Sequence, residues 1–374
     1  MVDSGASTER GGDFEYVFPA IRGIQAKREF YVSMCPMRLI PRMFLFDEDE
    51  LLPEVRAQRV LNRQRLPEMA RYMTSNRDSY VFSAITASID GTVGFTEVGS
   101  DAHADRIGLL RIPMDARFVI NDGQHRRAAI ELALKDDPDL ADECIAVVFF
   151  IDAGLERSQQ MFADLNRHAI RPSKSLGVLY GHRDEDAGIA KLVVLESPVF
   201  RGLVEMESTT LSARSRRLFT LSAIYGATKA LLEGNEDPVP KRSKTAQIFW
   251  EATAGQFPEW DAVRDRRLTA GEVRADFIHS HGIILHSLGI AGRGLLNEVG
   301  PDRAMLESRL EALKGIDWSR SNADTWEGRA MIGGRLAKSR QNVLLTTNVI
   351  MKALEIELPP ENHQAEQAFE EARA

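Results

Sequence analysis

A cluster of basic residues at the start of a predicted helix is the feature of this sequence best suited to chemistry. His125, Arg126 and Arg127 stand directly after Asp122 and Gly123. Unpaired backbone N–H groups and the positive end of the helix dipole make a helix N-terminus an anion site. Cationic side chains are unfavourable there unless an anion is bound. We therefore expect this turn to bind a phosphate group.

The elements that position this turn follow from the apolar pattern. The β-prone run Phe118–Ile120 predicts a strand, and the run from Gln124 to Leu134 has the apolar spacing of a helix. We expect Asp122 to be the helix N-cap and Gly123 to relieve the steric cost of the turn. The alternative is an ordinary strand-to-helix turn with solvated surface arginines.

The string Asp122–Arg126 resembles the motif that names the DGQHR family of DNA-modification-associated proteins. Within that family the chain is similar to the DndB branch, which regulates DNA phosphorothioation, also called DNA sulfur modification. Other segments resemble further signatures of the family, so the similarity spans roughly residues 15 to 358. These segments are Arg22–Gln25, Met161–His168, Arg171–Leu176, Trp326–Arg329 and Ser339–Val343.

The DGQHR family is itself similar to the ParB/sulfiredoxin superfamily, where a Gly-X-X-Arg turn at a helix start binds nucleotide phosphates. Gly123 and Arg126 stand at the matching positions, and Arg127 continues the basic turn. Sulfiredoxins carry a reactive cysteine where this chain has Gln124, so thiol redox chemistry is not supported. ParB relatives bind CTP, and the resemblance makes a nucleoside triphosphate with a divalent metal the candidate cofactor, without identifying the base.

Length and composition limit the class of protein. A chain of 374 residues is too long for one average core, which predicts two domains. The net charge of −8 argues against a generally basic nucleic-acid coat protein, although local basic stripes can still contact DNA. No apolar stretch is long enough to span a bilayer and the N-terminus lacks the apolar core of a signal peptide, so we expect a cytoplasmic protein. With only Cys35 and Cys144, we expect neither a disulfide framework nor a cysteine zinc motif.

The order of predicted elements indicates an α+β fold with the motif inside the first domain. That domain is expected to be mixed α/β and, by the resemblance, of the ParB/sulfiredoxin type, and a mainly α-helical domain follows it. The predicted organisation is a disordered tail at 1–14, the motif domain at 15–183, the helical domain at 184–358 and an acidic, loosely helical tail at 359–374.

Short runs predict the individual elements. Tyr16–Phe18 and Phe30–Met34 predict strands, and Cys144–Ile151 predicts a continuously buried strand. Arg38–Pro41 is predicted to be extended and to end at its proline. Six later runs have helical spacing: Ile189–Leu195, Leu218–Leu232, Ala246–Ala254, Phe277–Leu296, Arg303–Leu313 and Val343–Leu354.

Three basic stripes in the helical half could extend a phosphate site. Arg214, Arg216 and Arg217 form the most persuasive stripe, because they follow a Ser/Thr-rich loop and lead into an apolar helix. Any one such stripe is more often a solvated face than a binding site. The other two stripes are Lys241, Arg242 and Lys244, and Arg264, Arg266 and Arg267.

Our first hypothesis is a DNA-binding regulator, expected to be a transcriptional repressor, of a phosphorothioation gene cluster. Its partner would be double-stranded DNA at the promoter of its own operon, and a palindromic operator would imply a homo-oligomer. The candidate DNA- or phosphate-binding residues of one shared groove are Gly123, Gln124, His125, Arg126, Arg127, Asn166, Arg167, Arg171, Lys174, Arg214, Arg216 and Arg217.

Two alternatives remain open. One is a weak nucleotide hydrolase or DNA nickase that uses the same turn, with Asp122 and His125 as the leading catalytic candidates beside Asp164 and Asn166. The sequence has no phosphate-binding P-loop and no nucleophile elbow. Because we expect Asp122 to be the helix cap, we rank this alternative below DNA binding. The other alternative is a scaffold that binds further sulfur-modification proteins, with a purely structural turn.

Histidines offer little support for a metal site. His279, His281 and His286 cannot share one face of a single helix, so we expect structural or core-facing roles for them. His168 and His182 flank the Met161–His168 signature and are interpreted either as surface residues or as phosphate contacts.

Overall fold

A computed structural model of the chain describes residues 14–44, 63–99, 104–153, 157–167 and 173–373. Its contacts divide the chain into two compact units, Met1–Ile170 and Arg171–Ala374. The first unit contains a seven-stranded sheet with a few helices, and the second is almost entirely helical. The predicted α+β class is confirmed.

The sheet of the first unit is mixed. Its strands follow the spatial order β4-β5-β1-β2-β7-β3-β6, and every pairing is antiparallel except that between β3 and β7. The strands are β1 Glu15–Gln25, β2 Arg28–Pro36, β3 Ile85–Asp90, β4 Gly94–Glu97, β5 Ile107–Pro113, β6 Arg117–Asp122 and β7 Cys144–Ile151.

Strand β7 pairs with β2 on one side and with β3 on the other. Its residues alternate between fully buried ones, such as Ile145, Val147 and Phe149, and partly exposed ones. The prediction of a strand buried throughout is therefore wrong for one face. A continuous apolar run does not by itself distinguish a two-sided from a one-sided buried strand.

Four helices lie within the described residues of the first unit, and the longest of these four carries the motif. The motif helix α3 packs against α1 and α2, while α4 packs beside strand β6. Arg38–Pro41, predicted to be extended, instead lies in a 3-10 turn that leads into α1, with Pro41 in the first turn, where a proline is tolerated. The helices are α1 Ile40–Met43, α2 Leu66–Thr74, α3 Gln124–Asp136 and α4 Ser158–Arg167.

The second unit is built around the contact between two long helices, α7 and α11. A Cβ atom at Gly289 of α11 would lie 2.2 Å from the carbonyl oxygen of Ala227 in α7, so glycine is what lets the backbones approach. The core around them contains the fully buried Trp250, Trp260 and Trp326. The helices of this unit are α5 Lys174–Tyr180, α6 Glu185–Glu196, α7 Leu221–Leu231, α8 Val239–Ala254, α9 Pro258–Arg264, α10 Ala270–Asp276, α11 Gly282–Val299, α12 Arg303–Leu310, α13 Ala323–Trp326, α14 Arg340–Ala353 and α15 Pro360–Arg373.

Short strand pairs complete the second unit. Strand β8, Val204–Glu205, pairs in parallel with β9, Phe219–Thr220, and β10, Met331–Ile332, pairs with β11, Arg335–Leu336. Within the described parts of the chain, no helix combines the length and the apolar character that crossing a membrane requires.

The two units divide at Ile170, earlier than the domain boundary predicted between residues 183 and 184. Helix α5 lies within this interval and packs on α6 and α7, both in the second unit. The predicted tail at 359–374 forms the regular helix α15 as far as Arg373, and it buries Asn362, Ala365 and Glu366. The tail predicted to be disordered covers residues 1–14, of which residues 1–13 lie outside the described ranges.

Candidate functional site

The motif has the predicted strand, turn and helix. Strand β6 ends at Asp122, Gly123 forms the turn and α3 begins at Gln124. Gly123 has φ of +107°, a left-handed conformation that side-chain-bearing residues rarely adopt. The backbone conformation therefore requires the glycine of the motif.

The prediction that Asp122 caps the helix is wrong. Gly123 is the N-cap, and no side chain caps the first turn among the residues that the structure describes. Asp122 is still part of β6, where it pairs with Thr86. Its carboxylate instead accepts a hydrogen bond from Arg126, with Oδ2 2.6 Å from Nη2. The Arg127 amide donates to the Gly123 carbonyl oxygen at 2.9 Å, and the Gln124 amide at the helix start has no acceptor within the helix.

Arg126 folds back over the turn. Besides the pair with Asp122, its Nη2 donates to the carbonyl oxygen of Ala84 at 3.1 Å. Its Nε is buried and has no acceptor within the described ranges. Part of the predicted conflict between cations and the helix N-terminus is thus relieved by the protein's own carboxylate.

Arg127 is committed to the fold. Its Nε donates to the Phe44 carbonyl oxygen at 2.9 Å and its Nη2 to the Pro41 carbonyl oxygen at 3.1 Å. Its Nη1 pairs with Glu131 one turn along the helix. These contacts attach α3 to the end of α1, which argues against the predicted role of Arg127 as a phosphate contact.

The side chains of Gln124 and His125 are both neutral at pH 7, for different reasons. Gln124 is buried and its Nε2 donates to the Ile120 carbonyl oxygen at 3.2 Å. Burial, and then the charges of Arg65 and Arg126, lower the pKa of His125 below its ordinary value of 6.5. The imidazole is therefore mainly neutral at pH 7 and is not a further cation of the turn.

A buried polar group that sequence reasoning missed fixes the strand beneath the turn. The Asn121 side-chain amide lies 2.7 Å from Ser88 Oγ of β3 and 2.8 Å from Ser158 Oγ of α4. Asn121 and Ser88 are fully buried. A buried polar group is costly unless it is paired, so this triad specifies how α4 meets the sheet. An isolated serine in sequence carries no signal of such a contact.

The remaining predicted phosphate contacts are distributed along the chain. Asn166 and Arg167 end helix α4 in the first unit, whereas Lys174 begins α5 in the second. Arg171 lies outside the described residues, as does His168. Arg214, Arg216 and Arg217 belong to the second unit. The expectation that these residues and the turn form one groove stays a prediction.

Two of the three basic stripes line one groove in the second unit. Six arginines line this groove, which has a volume of about 1,000 Å³, and we call it the arginine groove. It brings the 214–217 stripe together with Arg264 and Arg266 of the third stripe and adds Arg201. Sequence reasoning missed Arg201, which stands alone between apolar residues. The lining arginines are Arg201, Arg214, Arg216, Arg217, Arg264 and Arg266.

The carboxylates that the structure describes neutralise only a small part of the positive charge in the arginine groove. Arg264 pairs with Asp261 at 2.7 Å, and Arg217 donates to the Gly202 carbonyl oxygen. Glu205 is the one carboxylate among the described lining residues, and the backbone amides of Glu207 and Ser208 lower its pKa. Such an excess of exposed guanidinium groups attracts anions, and guanidinium suits phosphate in particular.

The second basic stripe forms ion pairs within the protein. Arg242 pairs with Glu185 and Asp186, and Lys241 with Asp237. We therefore assign no phosphate contact to this stripe.

His279, His281 and His286 have structural roles, as predicted. His279 accepts a hydrogen bond from Trp260 Nε1 at 3.0 Å within an aromatic cluster. His281 and His286 bond to the carbonyl oxygens of Arg274 and Gly226. His182 is exposed. Among the described residues, no three His, Cys, Asp or Glu side chains are grouped to hold a metal.

Comparison with known proteins agrees with the resemblance carried by the motif. No curated protein and no solved structure matches the chain. One family model does match, over residues 18–357, and its description is DNA-sulfur modification-associated. Because the match covers most of both units, the chain belongs to the DndB family of DNA-sulfur modification-associated proteins.

Proposed function

We propose that the chain is a DNA-binding regulator of a DNA phosphorothioation gene cluster and that the arginine groove supplies its main contacts to the DNA backbone. The observation that carries this proposal is the convergence of six arginines, from segments far apart in sequence, on one groove with a single carboxylate. Most hydrogen bonds between proteins and DNA go to the backbone, and arginine is suited to them. The acidic chain would then bind DNA through this local surface and not through its overall charge.

The turn at Gly123 would add a second phosphate contact. The uncapped amide of Gln124 at the start of α3 and the positive charge of Arg126 beside the turn support this role. Arg127 is left out, because its donors are taken by the fold. Repression of the chain's own operon would follow from sequence-specific binding, as proposed for the family branch it resembles.

DNA binding is better supported than hydrolysis. The hydrolytic alternative relies on Asp122 or His125 as a base. Asp122 is paired with Arg126, and no metal-holding group accompanies it in the described ranges. The arginine groove, in contrast, has the charge that a DNA-binding role needs and a hydrolase does not.

A salt-dependent binding titration tests the proposal. The full chain, the double variant Arg214→Ala/Arg216→Ala and Arg126→Ala would be titrated with the DNA upstream of the chain's own gene cluster and with random DNA. Each lost phosphate contact should reduce the slope of log K against log salt by about 0.9, so the double variant should lose about 1.8. Arg335→Ala, an exposed arginine outside the groove, is the matched control.

The outcomes separate the alternatives. Tight, sequence-preferring binding that the double variant weakens supports the regulator. An unchanged slope in the double variant would contradict the arginine groove as the DNA surface. An absence of DNA binding at low salt, together with a stable complex with other sulfur-modification proteins, would favour the scaffold.

A further inference from the structure

A second cavity in the helical unit has no role in the proposal above. Its volume is about 500 Å³, and we call it the lysine pocket. It lies where the starts of α5, α7 and α11 meet the segment before α14. It is lined by Lys174, Thr209, Thr210, Leu211, Leu218, Phe219, Thr220, Ser222, Ala223, Arg274, Ser280, His281, Gly282 and Lys338.

The charge of the lysine pocket is positive. Lys174, Lys338 and Arg274 line it, and the described lining includes no carboxylate. Both lysines line the same cavity, and desolvation, followed by the charge of Lys174, lowers the pKa of Lys338. Like charges held together without a counter-charge are unfavourable unless an anion joins them.

Neutral donors surround these cations. Ser280 is 4% exposed and its Oγ has no hydrogen-bond partner among the residues described. A buried hydroxyl without a partner is uncommon and costly, so it indicates a ligand or a water that completes it. Ser222 and the threonines of the same wall add further hydroxyls.

The start of α11 contributes backbone donors. This helix has 18 residues, Gly282–Val299, and its N-cap residue His281 makes no side-chain capping bond. Burial lowers the pKa of His281 to about 4, and the neutral ring uses Nε2 to donate to the Arg274 carbonyl oxygen at 3.1 Å. Among the described residues, nothing accepts a hydrogen bond from the first three amides of α11, which lie at the positive end of a long helix dipole.

We propose that the lysine pocket binds the dianionic phosphate group of a small phosphate monoester. Lys174 and Lys338 would neutralise its two charges, while Ser280 and the amides at the start of α11 would donate to its oxygens. A terminal phosphate can enter a cavity of this size, whereas a phosphodiester of duplex DNA continues on both sides. The apolar side chains of Leu211, Leu218 and Phe219 would contact the rest of the ligand.

Titration of the full chain with inorganic phosphate tests this site. Binding would be followed by calorimetry at pH 7.5 and constant ionic strength, with chloride replacing phosphate in the reference. We expect one saturable phosphate site per chain that is retained when Arg214 and Arg216 of the arginine groove are replaced by alanine. Lys174→Met and Lys338→Met should each weaken it by about tenfold, the usual effect of removing one charged hydrogen-bond donor.

Controls keep the result interpretable. Lys244→Met, an exposed lysine outside the pocket, should bind phosphate like the unaltered chain. Should Lys338→Met fail to fold, Lys174→Met decides, because Lys174 is exposed and forms no hydrogen bond or ion pair with the residues that the structure describes. The lack of saturable phosphate binding, or equal binding by all three variants, would overturn the proposal.

A competition experiment separates the lysine pocket from the DNA surface. Duplex DNA without terminal phosphates would be added to the phosphate-bound chain. Phosphate that stays bound supports a separate site for a small ligand. Stoichiometric displacement of phosphate by this DNA would overturn the proposal and assign the lysine pocket to the DNA-binding surface. The arginine groove double variant is expected to bind phosphate normally, so failure of the proposed DNA function would not affect this test.

Discussion

Arg329 and Glu366 form a two-pronged, buried ion pair that fixes the last helix of the chain. Arg329 Nη1 lies 2.7 Å from Glu366 Oε2, and Nη2 lies 2.8 Å from Oε1. Lys352 and Asn348 of α14 donate to the same carboxylate at 2.6 and 2.9 Å. Helix α15 is thus attached to α14 and to the segment before β10 by one carboxylate.

Replacing Glu366 with glutamine should destabilise the chain by about 3 kcal/mol, because it leaves the buried guanidinium of Arg329 without a counter-charge. Urea unfolding at pH 7 measures this loss. Glu361→Gln, which removes the exposed partner of Arg340, is the matched control and should cost less than about 1 kcal/mol. Equal losses in the two variants would contradict the role of the pair.

The same carboxylate predicts a pH dependence. Burial alone would raise the pKa of Glu366, but hydrogen bonds from Arg329, Lys352 and Asn348 outweigh it and lower the pKa from 4.5 to about 2. A carboxylate whose pKa is lower in the folded state stabilises the fold fully at pH values above its pKa in the unfolded chain. This stabilisation is lost as the pH falls to the pKa of the folded state. The stability gap between the unaltered chain and Glu366→Gln should therefore shrink between pH 4.5 and 2. A gap that stays constant over this window would argue against the assignment.

This pair also shows what sequence reasoning missed at the C-terminal end, which was predicted to be an acidic, frayed or loosely helical tail. The composition of residues 359–374 is acidic and suggests a solvated tail. The burial of Glu366 depends on Arg329, which is distant in sequence, and no local pattern reveals it. Trp326–Arg329 and Ser339–Val343, recognised from the resemblance, meet here, since Asn342 Nδ2 donates to the Arg329 carbonyl oxygen at 2.6 Å.

Arg127→Ala should destabilise the first unit by about 2 kcal/mol or more, because it leaves the carbonyl oxygens of Pro41 and Phe44 without their donor. Lys135→Ala, an exposed substitution in the same helix, should change stability by less than about 0.5 kcal/mol. Urea unfolding of both variants checks the difference. A folded Arg127→Ala of normal stability but weakened DNA binding would restore the phosphate role that the structure argues against.

Gly123→Ala should cost about 1–2 kcal/mol, because alanine is strained at φ of +107°. The added Cβ would also lie 3.1 Å from both Arg126 Nη2 and Ile85 Cγ1, closer than most Cβ contacts. Gly177→Ala provides the contrast, since no atom lies within 4 Å of its added Cβ and alanine favours the helix. Thermal unfolding should show a loss for Gly123→Ala and no loss for Gly177→Ala. Equal stability of the two variants would contradict the left-handed turn.

The motif turn was largely predictable from local sequence, and its electrostatics were not. A strand followed by Asp-Gly and a helical run is a local pattern, and the structure confirms it. The acceptors that satisfy Arg126 and Arg127 come from Ala84, Pro41 and Phe44, whose approach depends on how the sheet and α1 pack. The local excess of positive charge therefore predicted a bound anion, whereas acceptors of the protein itself satisfy part of that charge.

The arginine groove depends in the same way on a contact between distant segments. The 214–217 and 264–267 stripes were each visible in the sequence, but separation along the chain hides their meeting. Arg274 is the residue that organises the loop between Ser212 and Arg217. Its Nη2 donates to the Ser212 carbonyl oxygen at 2.8 Å, and its Nη1 donates to the Arg217 carbonyl oxygen.

Arg274→Lys should weaken DNA binding by about tenfold or more, although Arg274 does not line the arginine groove. A lysine keeps the charge but cannot present the five donors of a guanidinium in a fixed fork, so the loop carbonyls lose partners and the groove arginines lose their placement. Because this prediction rests on the proposed function, the DNA affinity of Arg274→Lys is compared with that of Arg214→Ala/Arg216→Ala. Arg335→Lys is the control. The prediction fails if Arg274→Lys folds and keeps full DNA affinity while the double variant Arg214→Ala/Arg216→Ala loses affinity. The loop would then hold its arginines in place without Arg274.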